Sequence, residues 1–203
     1  MRDLEIRGAG NILGNSQSGH MAAVGYDLYC KMLNEAVKHK KGIEKDTSDI
    51  TASIDINVDA FIPDRYITNE HQKLDIYKRI SAIETLSEKE DMIEELTDRF
   101  GSLPKAVLNL LDIAYLKALA KESYITDIKG EDGIVRLTIY ENAKYKSEKI
   151  PQFVAGFRGM LALRTGNKPA FIYRMNRSET TGDDQLRRML EFVTQIKENI
   201  IEI

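Results

Sequence analysis

Residues 2–20 combine glycines with polar side chains suited to binding a ligand or a neighbouring domain. The segment reads RDLEIRGAGNILGNSQSGH and holds four of the chain's 13 glycines: Gly8, Gly10, Gly14 and Gly19. Glycines this close together are typical of an ordered loop, because glycine tolerates positive φ and close backbone approach. Arg7 offers a fixed fork of N–H donors, and Gln17 offers both a donor and an acceptor. Such a loop builds little core, so we expect it to serve contact.

A dinucleotide-binding turn is one interpretation of this loop. Residues 4–6 have the composition of a short strand, and Gly8-Ala9-Gly10 follows it. The fingerprint G-x-G-x-x-G requires a third glycine one residue before Gly14. A clear acidic ribose ligand about 20 residues further on is also absent from the sequence. The spacing therefore disfavours nucleotide binding by this loop.

A second cluster of charges lies at residues 94–104, which read EELTDRFGSLP. Glu95, Asp98 and Arg99 are three and four residues apart, so on a helix they share one face. They form either a surface network of local ion pairs, each contributing tenths of a kcal/mol, or a charged docking patch for another domain. The spacing alone favours the surface network.

The sequence shows no arrangement of residues that would break or form bonds. It contains neither a P-loop nor an H-E-x-x-H motif, and its carboxylates are scattered. The histidines lack zinc spacing, and the single Cys30 excludes an internal disulfide and suits a reducing cytosol. The net charge of −3 confines any DNA contact to a local surface. We therefore predict a cytoplasmic chain without enzymatic activity, metal or cofactor.

The hydrophobic pattern predicts two regions. Residues 22–41 have the apolar spacing of a helix, and the polar residues 43–51 mark a boundary. Residues 1–42 would then end one module and supply a connecting helix, and residues 43–203 would form a second domain. No apolar run is long enough to span a membrane.

The second domain is predicted to have an α+β fold. Residues 53–59 alternate as a strand. Three helices are expected. The first covers residues 69–85, the second starts at a capping box formed by Ser87 and Glu90, and the third runs from Pro104 to about residue 121. Period-two patterns then indicate hairpins at 124–140 and 160–175, with helices at 151–157 and 183–200. Together these elements give a largely antiparallel sheet of about five short strands with helices packed on it, preceded by the glycine-rich loop and connecting helix.

Two stretches of the sequence resemble a known family. The string RGAGNILGNSQSGH closely resembles the TRG motif (translocation in RecG), shared by RecG-type helicases and the bacterial transcription-repair coupling factors, Mfd. The run ELTDRFGSLP, with RYITNEHQKLDIYKRI before it, is similar to the C-terminal domain of the coupling factors. The resemblance runs through residues 2–121.

The resemblance implies the C-terminal, regulatory part of an ATP-driven DNA translocase that displaces stalled RNA polymerase and recruits nucleotide excision repair. In that family the C-terminal domain docks on a UvrB-like N-terminal module and masks its UvrA-binding surface, through charges that correspond here to Glu95, Asp98 and Arg99. The family's translocation-coupling residues correspond to Arg7 and Gln17, set among the four loop glycines. ATP and Mg belong to ATPase lobes outside this sequence, and the parent's partners are duplex DNA, RNA polymerase and UvrA.

Two alternatives stay open. A RecG-like fork-remodelling helicase shares the loop motif but is disfavoured by the ELTDRFGSLP element. A stand-alone nucleotide-binding enzyme is disfavoured by the shifted glycine spacing and the missing P-loop.

Overall fold

The elements follow one another as strand, three helices, hairpin, helix, hairpin, helix. The structure is a computed structural model that describes residues 52–131, 133–176 and 181–202. The glycine-rich loop and the connecting helix lie outside these residues. The observed order matches the predicted order over the described part of the chain. The strands and helices are β1 (Ser53–Asp55), α1 (Glu70–Ser81), α2 (Leu86–Phe100), α3 (Lys105–Glu122), β2 (Ile125–Glu131), β3 (Ile134–Ile139), α4 (Ile150–Gly156), β4 (Leu161–Arg164), β5 (Ala170–Arg174) and α5 (Gly182–Ile200).

The strands form one mixed sheet in the order β1-β2-β3-β5-β4. The hairpins β2–β3 and β4–β5 are antiparallel, and β3 also pairs antiparallel with β5. The short β1 joins the edge parallel to β2. The predicted α+β class and largely antiparallel sheet are therefore confirmed.

One face of the sheet, here called the inner face, is covered by α3 and α5. Helix α3 is apolar on several sides and buries residues from Val107 to Ala120, as expected for a central core helix. Helix α5 presents a single buried stripe to α3 and the sheet. Phe192 on this stripe contacts Phe171 and Tyr173 of β5, with ring centroids 5.9 and 5.3 Å apart. The core thus lies between the inner face and these two helices.

Helices α1 and α2 pack on α3, which separates them from the sheet. Helix α1 starts at the predicted cap, where the Asn69 side chain accepts a hydrogen bond from the Gln72 amide at 3.0 Å. It ends at Ser81, earlier than the predicted residue 85. The amides of Ala82 and Ile83 donate to the carbonyl oxygens of Arg79 and Ile80, and these hydrogen bonds end the helix. Residues 82–85 therefore form the connection to α2.

The start of α2 predicted from the sequence pattern is wrong. The predicted box of Ser87 and Glu90 is replaced by one of Thr85 and Glu88, two residues upstream. The Glu88 carboxylate accepts hydrogen bonds from the amides of both Glu84 and Thr85, at 2.8 and 3.0 Å. The upstream box thus satisfies two amides with one carboxylate and adds half a turn to the helix.

Two further differences from the predicted boundaries have a visible cause, and the others are shifts of about one residue. Strand β1 pairs over only three residues, because the Val58 amide donates to the Ile56 carbonyl and turns the chain away from β2. Pro104 precedes the first turn of α3 instead of lying within it: it is the N-cap residue, with φ −61° and ψ 149°.

Candidate docking surface

The charged cluster lies on the C-terminal half of α2, on the side away from α3. Met92 and Leu96 face the core and are buried, so residues on the opposite side of the helix face solvent. The C-terminal end of α2 is fixed by Tyr66, whose hydroxyl donates to the carbonyl oxygens of Leu96 and Gly101 at 3.1 and 3.2 Å. The cluster therefore rests on an anchored helix end.

Glu95 is the centre of an ion-pair network that links α1 to α2. The two Arg79 Nη atoms donate to the two carboxylate oxygens of Glu95, with Nη1 2.6 Å from Oε1. Arg99 donates through Nη1 to the same Oε1 at 2.7 Å. The Arg79 contact is the two-pronged geometry in which a guanidinium binds a carboxylate most specifically. The network thus fixes the position of both arginines relative to α2.

The electrostatic consequence is a strongly stabilised carboxylate. Hydrogen bonds from Arg79, and then from Arg99, lower the pKa of Glu95 from its ordinary value of 4.5 to about 2. The same hydrogen bonds between Arg79 and Glu95 raise the pKa of Arg79. Glu95 and Arg79 are therefore both charged throughout the physiological range of pH.

Asp98 differs from its two neighbours. Its side chain is exposed, and among the described residues it has no ion-pair partner. Arg99 is only partly paired. It contacts Glu95, and its guanidinium carbon lies 4.9 Å from the ring centroid of Phe100. Only one of the five guanidinium N–H donors is used by Glu95, so the others remain for a partner. Asp98 and Arg99 thus present one unpaired anion and one partly used cation.

A shallow groove of about 330 Å³ lies beside the network, between α1 and α2. The buried residues Ile83 and Met92 contribute apolar surface, and Arg79, Asp91 and Glu95 contribute charge. The ion pairs and this groove together form what we call the α1–α2 surface.

The structure brings together only part of the predicted sites. Glu95 and Arg99 are in contact and Asp98 lies beside them, whereas Arg7, Gln17 and the four loop glycines fall outside the described residues. No group of three or more acidic, histidine or cysteine side chains with metal-binding geometry occurs among the described residues. Within that same part of the chain, no helix is long and apolar enough to cross a membrane.

The sequence pattern does not predict that Arg79 belongs to this cluster. It lies 16 residues before Glu95 and on another helix, so the helical i, i+4 rule that relates Glu95 to Arg99 does not reach it. Only the packing of α1 beside α2 brings the two residues together. A charged residue in the last turn of α1 was the sole local signal, and a solvated helix end explains such a residue equally well.

The fold and this surface define a mixed-sheet α+β domain with an ion-paired helical pair on its far side. Residues 56–150 match the TRCF domain family. The chain is 45% identical over 143 residues to the transcription-repair-coupling factor of Bacillus subtilis (strain 168), covering 70% of this chain and 12% of that protein. It is 46% identical over 136 residues to the transcription-repair-coupling factor of Staphylococcus aureus (strain USA300), covering 66% and 12%.

A solved structure of a related domain has a similar fold. The crystal structure of the C-terminal domain of a transcription-repair coupling factor superposes with a TM-score of 0.60 at 24% identity, covering 73% of this chain and 94% of that one. The chain belongs to the family of transcription-repair coupling factors, which confirms the resemblance of its C-terminal-domain stretch; the resemblance of residues 2–20 to the TRG motif stays a prediction. The chain spans about 12% of the length of these curated relatives.

Proposed function

We propose that this chain is the C-terminal regulatory part of an ATP-dependent DNA translocase that displaces stalled RNA polymerase and recruits nucleotide excision repair in the cytoplasm. Its own role is to bind, without catalysis. The domain docks on a UvrB-like N-terminal module of the same protein and masks the UvrA-binding surface. ATP and Mg act in ATPase lobes of the parent protein.

The observation that supports docking is the arrangement of Glu95, Asp98 and Arg99 on the anchored end of α2. The bidentate Arg79–Glu95 pair contributes modestly to stability, and through Glu95 it also fixes Arg99. By holding Arg99 in place beside the unpaired Asp98, the network presents a fixed pair of opposite charges. A partner surface that offers a cation to Asp98 and a carboxylate to Arg99 would complement it.

Arg7 and Gln17 have a separate role in this proposal, which rests on the resemblance of residues 2–20 to the translocation motif. They couple ATP hydrolysis to movement along duplex DNA by contacting the ATPase lobes or the DNA backbone. Gly8, Gly10 and Gly14 lie between Arg7 and Gln17 and would let the loop bend, so that the two side chains could converge on one target. The match to the TRCF domain favours this parent over a RecG-like helicase.

Docking can be tested with the 203-residue chain and the UvrB-like module. The double reversal Asp98→Lys, Arg99→Glu should weaken binding measured by calorimetry, and the loss should shrink at high salt because part of the attraction is screened. The control reverses the exposed pair Glu122–Lys197, which joins α3 to α5 and lies outside the α1–α2 surface. Unchanged binding by a folded Asp98/Arg99 variant would return the cluster to a simple surface network.

A further inference from the structure

The face of the sheet opposite α3 and α5, here called the outer face, carries a second charged surface. Phe171 and Tyr173 of β5 point to the inner face, where they contact Phe192. Because side chains alternate along a strand, Ile172 and Arg174 point to the outer face. Helices α3, α4 and α5 all pack on the inner side, so no described helix covers the outer face.

Three arginines surround Ile172 on this face. Arg136 of β3 is its direct cross-strand partner, and Arg174 follows it by two residues on β5. Arg164 of β4 is its diagonal neighbour, since Ala162 pairs with Ile172 and Arg164 pairs with Ala170. Direct partners lie about 5 Å apart and diagonal ones about 7–8 Å. The fold thus gathers onto three adjacent strands arginines that are distant in sequence.

None of these arginines forms a close ion pair among the described residues, although the chain has more acidic than basic side chains. The charge of Asp127 on β2, diagonal to Arg136, acts on Arg136 alone. All three are exposed. Four other described arginines are paired with carboxylates: Arg79, Arg99, Arg187 and Arg188. Leaving three arginines unpaired together produces a local positive potential on an otherwise acidic protein.

The rest of the outer face limits where a partner can lie. Asp55 and Asp127 lie on β1 and β2 beside Lys129, the direct cross-strand partner of both Asp55 and Arg136, so that end of the sheet carries mixed charge. The surplus positive charge is therefore concentrated on β3, β5 and β4. The outer-face positions of these three strands carry no aromatic side chain within the described residues, so nothing there could stack on an unpaired base.

We propose that the arginines Arg136, Arg164 and Arg174 form a contact site for the phosphate backbone of duplex DNA. Arginine matches phosphate with two parallel hydrogen bonds, and backbone contact needs no base readout. An acidic protein surface is the competing partner, and it would also use the exposed Ile134 beside Arg174. Three arginines around one residue match the charge density of a DNA backbone better than that of an acidic protein surface, because DNA carries a phosphate charge at every step. The site lies across α3 and the sheet from the α1–α2 surface and does not rest on the docking proposal.

The test measures binding of a fluorescein-labelled duplex of about 30 base pairs by anisotropy, with the 203-residue chain at several salt concentrations. Replacing Arg136, Arg164 and Arg174 by Gln should weaken binding roughly tenfold or more and make the salt dependence shallower by about two to three units of log–log slope. The control replaces three exposed cations of the helical side by Gln: Arg65, Lys78 and Lys121. It removes the same charge and should retain clearly tighter binding.

Equal loss in the two triple variants would show that only total charge matters and would overturn the proposal. So would wild-type affinity in the arginine variant, or no binding by the unmodified chain at low salt; either result would favour the acidic protein partner. Matching melting temperatures of the two variants separate binding from folding. Because Asp98 and Arg99 are untouched, docking can succeed or fail independently of this result.

Discussion

At the scale of single residues, Glu95 is the part of the α1–α2 surface that other groups depend on. It holds Arg79 and Arg99 through both carboxylate oxygens. Its own partners are within the domain, so it organises the surface, whereas Asp98 and the free donors of Arg99 are left for a partner. This division of roles was not evident from the E-x-x-D-R spacing, which treats the three charges alike.

The network should make stability depend on pH. Since the pKa of Glu95 is lower in the folded state, its contribution is complete above its ordinary pKa of 4.5 and is lost as the pH falls toward 2. Glu95→Gln should therefore cost about 1 kcal/mol at pH 7, a modest value because the pair is partly exposed. Urea unfolding at pH 7 and at pH 3 should show the difference from wild type shrinking. Glu94→Gln, at the exposed neighbouring position, should give no such trend.

Gln17 carries a prediction for the parent protein. If Arg7 and Gln17 couple hydrolysis to movement, Gln17→Ala should leave ATP binding and folding near normal and sharply reduce translocation on duplex DNA. A triplex-displacement assay run beside an ATPase assay measures both activities. Normal rates in both assays, or loss of both through unfolding, would contradict a coupling role.

At the scale of elements, the start of α2 shows how far sequence patterns reach. Residues 85–90 read TLSEKE, and both Thr85/Glu88 and Ser87/Glu90 fit the S/T-x-x-E capping pattern. The pattern predicts a helix start correctly but cannot rank two overlapping boxes. The choice follows from the chain before it, because the amide of Glu84 also donates to Glu88.

Two substitutions separate these alternatives. Thr85→Ala removes the side chain that accepts from the Glu88 amide at 3.2 Å, and should destabilise the domain by about 1 kcal/mol. Ser87→Ala, at an exposed position inside the first turn, should stay within about 0.5 kcal/mol of wild type. Chemical denaturation at neutral pH gives both values. A larger cost at Ser87 than at Thr85 would mean that the helix starts where the sequence pattern alone placed it.

The sheet shows the same limit. Alternating apolar residues predicted the hairpins β2–β3 and β4–β5, because the partners are adjacent in sequence. The parallel pairing of β1 with β2 was not predictable, since three helices separate them and no local signal specifies the partner. The arginines of the outer face share this origin: their convergence depends on strand order, which the sequence pattern does not contain.

At the scale of the whole molecule, the N-terminus of α5 ties the two ends of the described domain together. The side chain of Asn109 on α3 donates to the Asp59 carbonyl and to Asp183, both at 2.9 Å. Gly182 passes so close to the chain after β1 that an added Cβ would lie 1.8 Å from the Asn57 carbonyl oxygen. The contact between the N-terminus of α5 and the chain after β1 therefore requires glycine at this position.

This close approach predicts a global effect. Gly182→Ala should destabilise the domain by about 1–3 kcal/mol, because backbone must move to admit the methyl group. Gly156→Ala is the control: its Cβ would meet nothing within 4 Å, and alanine is the better helix former. Thermal unfolding should therefore show a lower melting temperature for the first variant only. Equal melting temperatures would mean that α5 does not approach the chain after β1 so closely.

The central claim, that the α1–α2 surface masks a UvrA-binding surface in the parent, is tested most directly by UvrA affinity. The parent protein carrying Asp98→Lys and Arg99→Glu is compared with wild type and with the reversed Glu122–Lys197 pair, using surface-bound UvrA. Loss of docking should raise the affinity of the Asp98/Arg99 variant for UvrA and leave the control at the wild-type value. Equal affinities for all three folded proteins would contradict the claim.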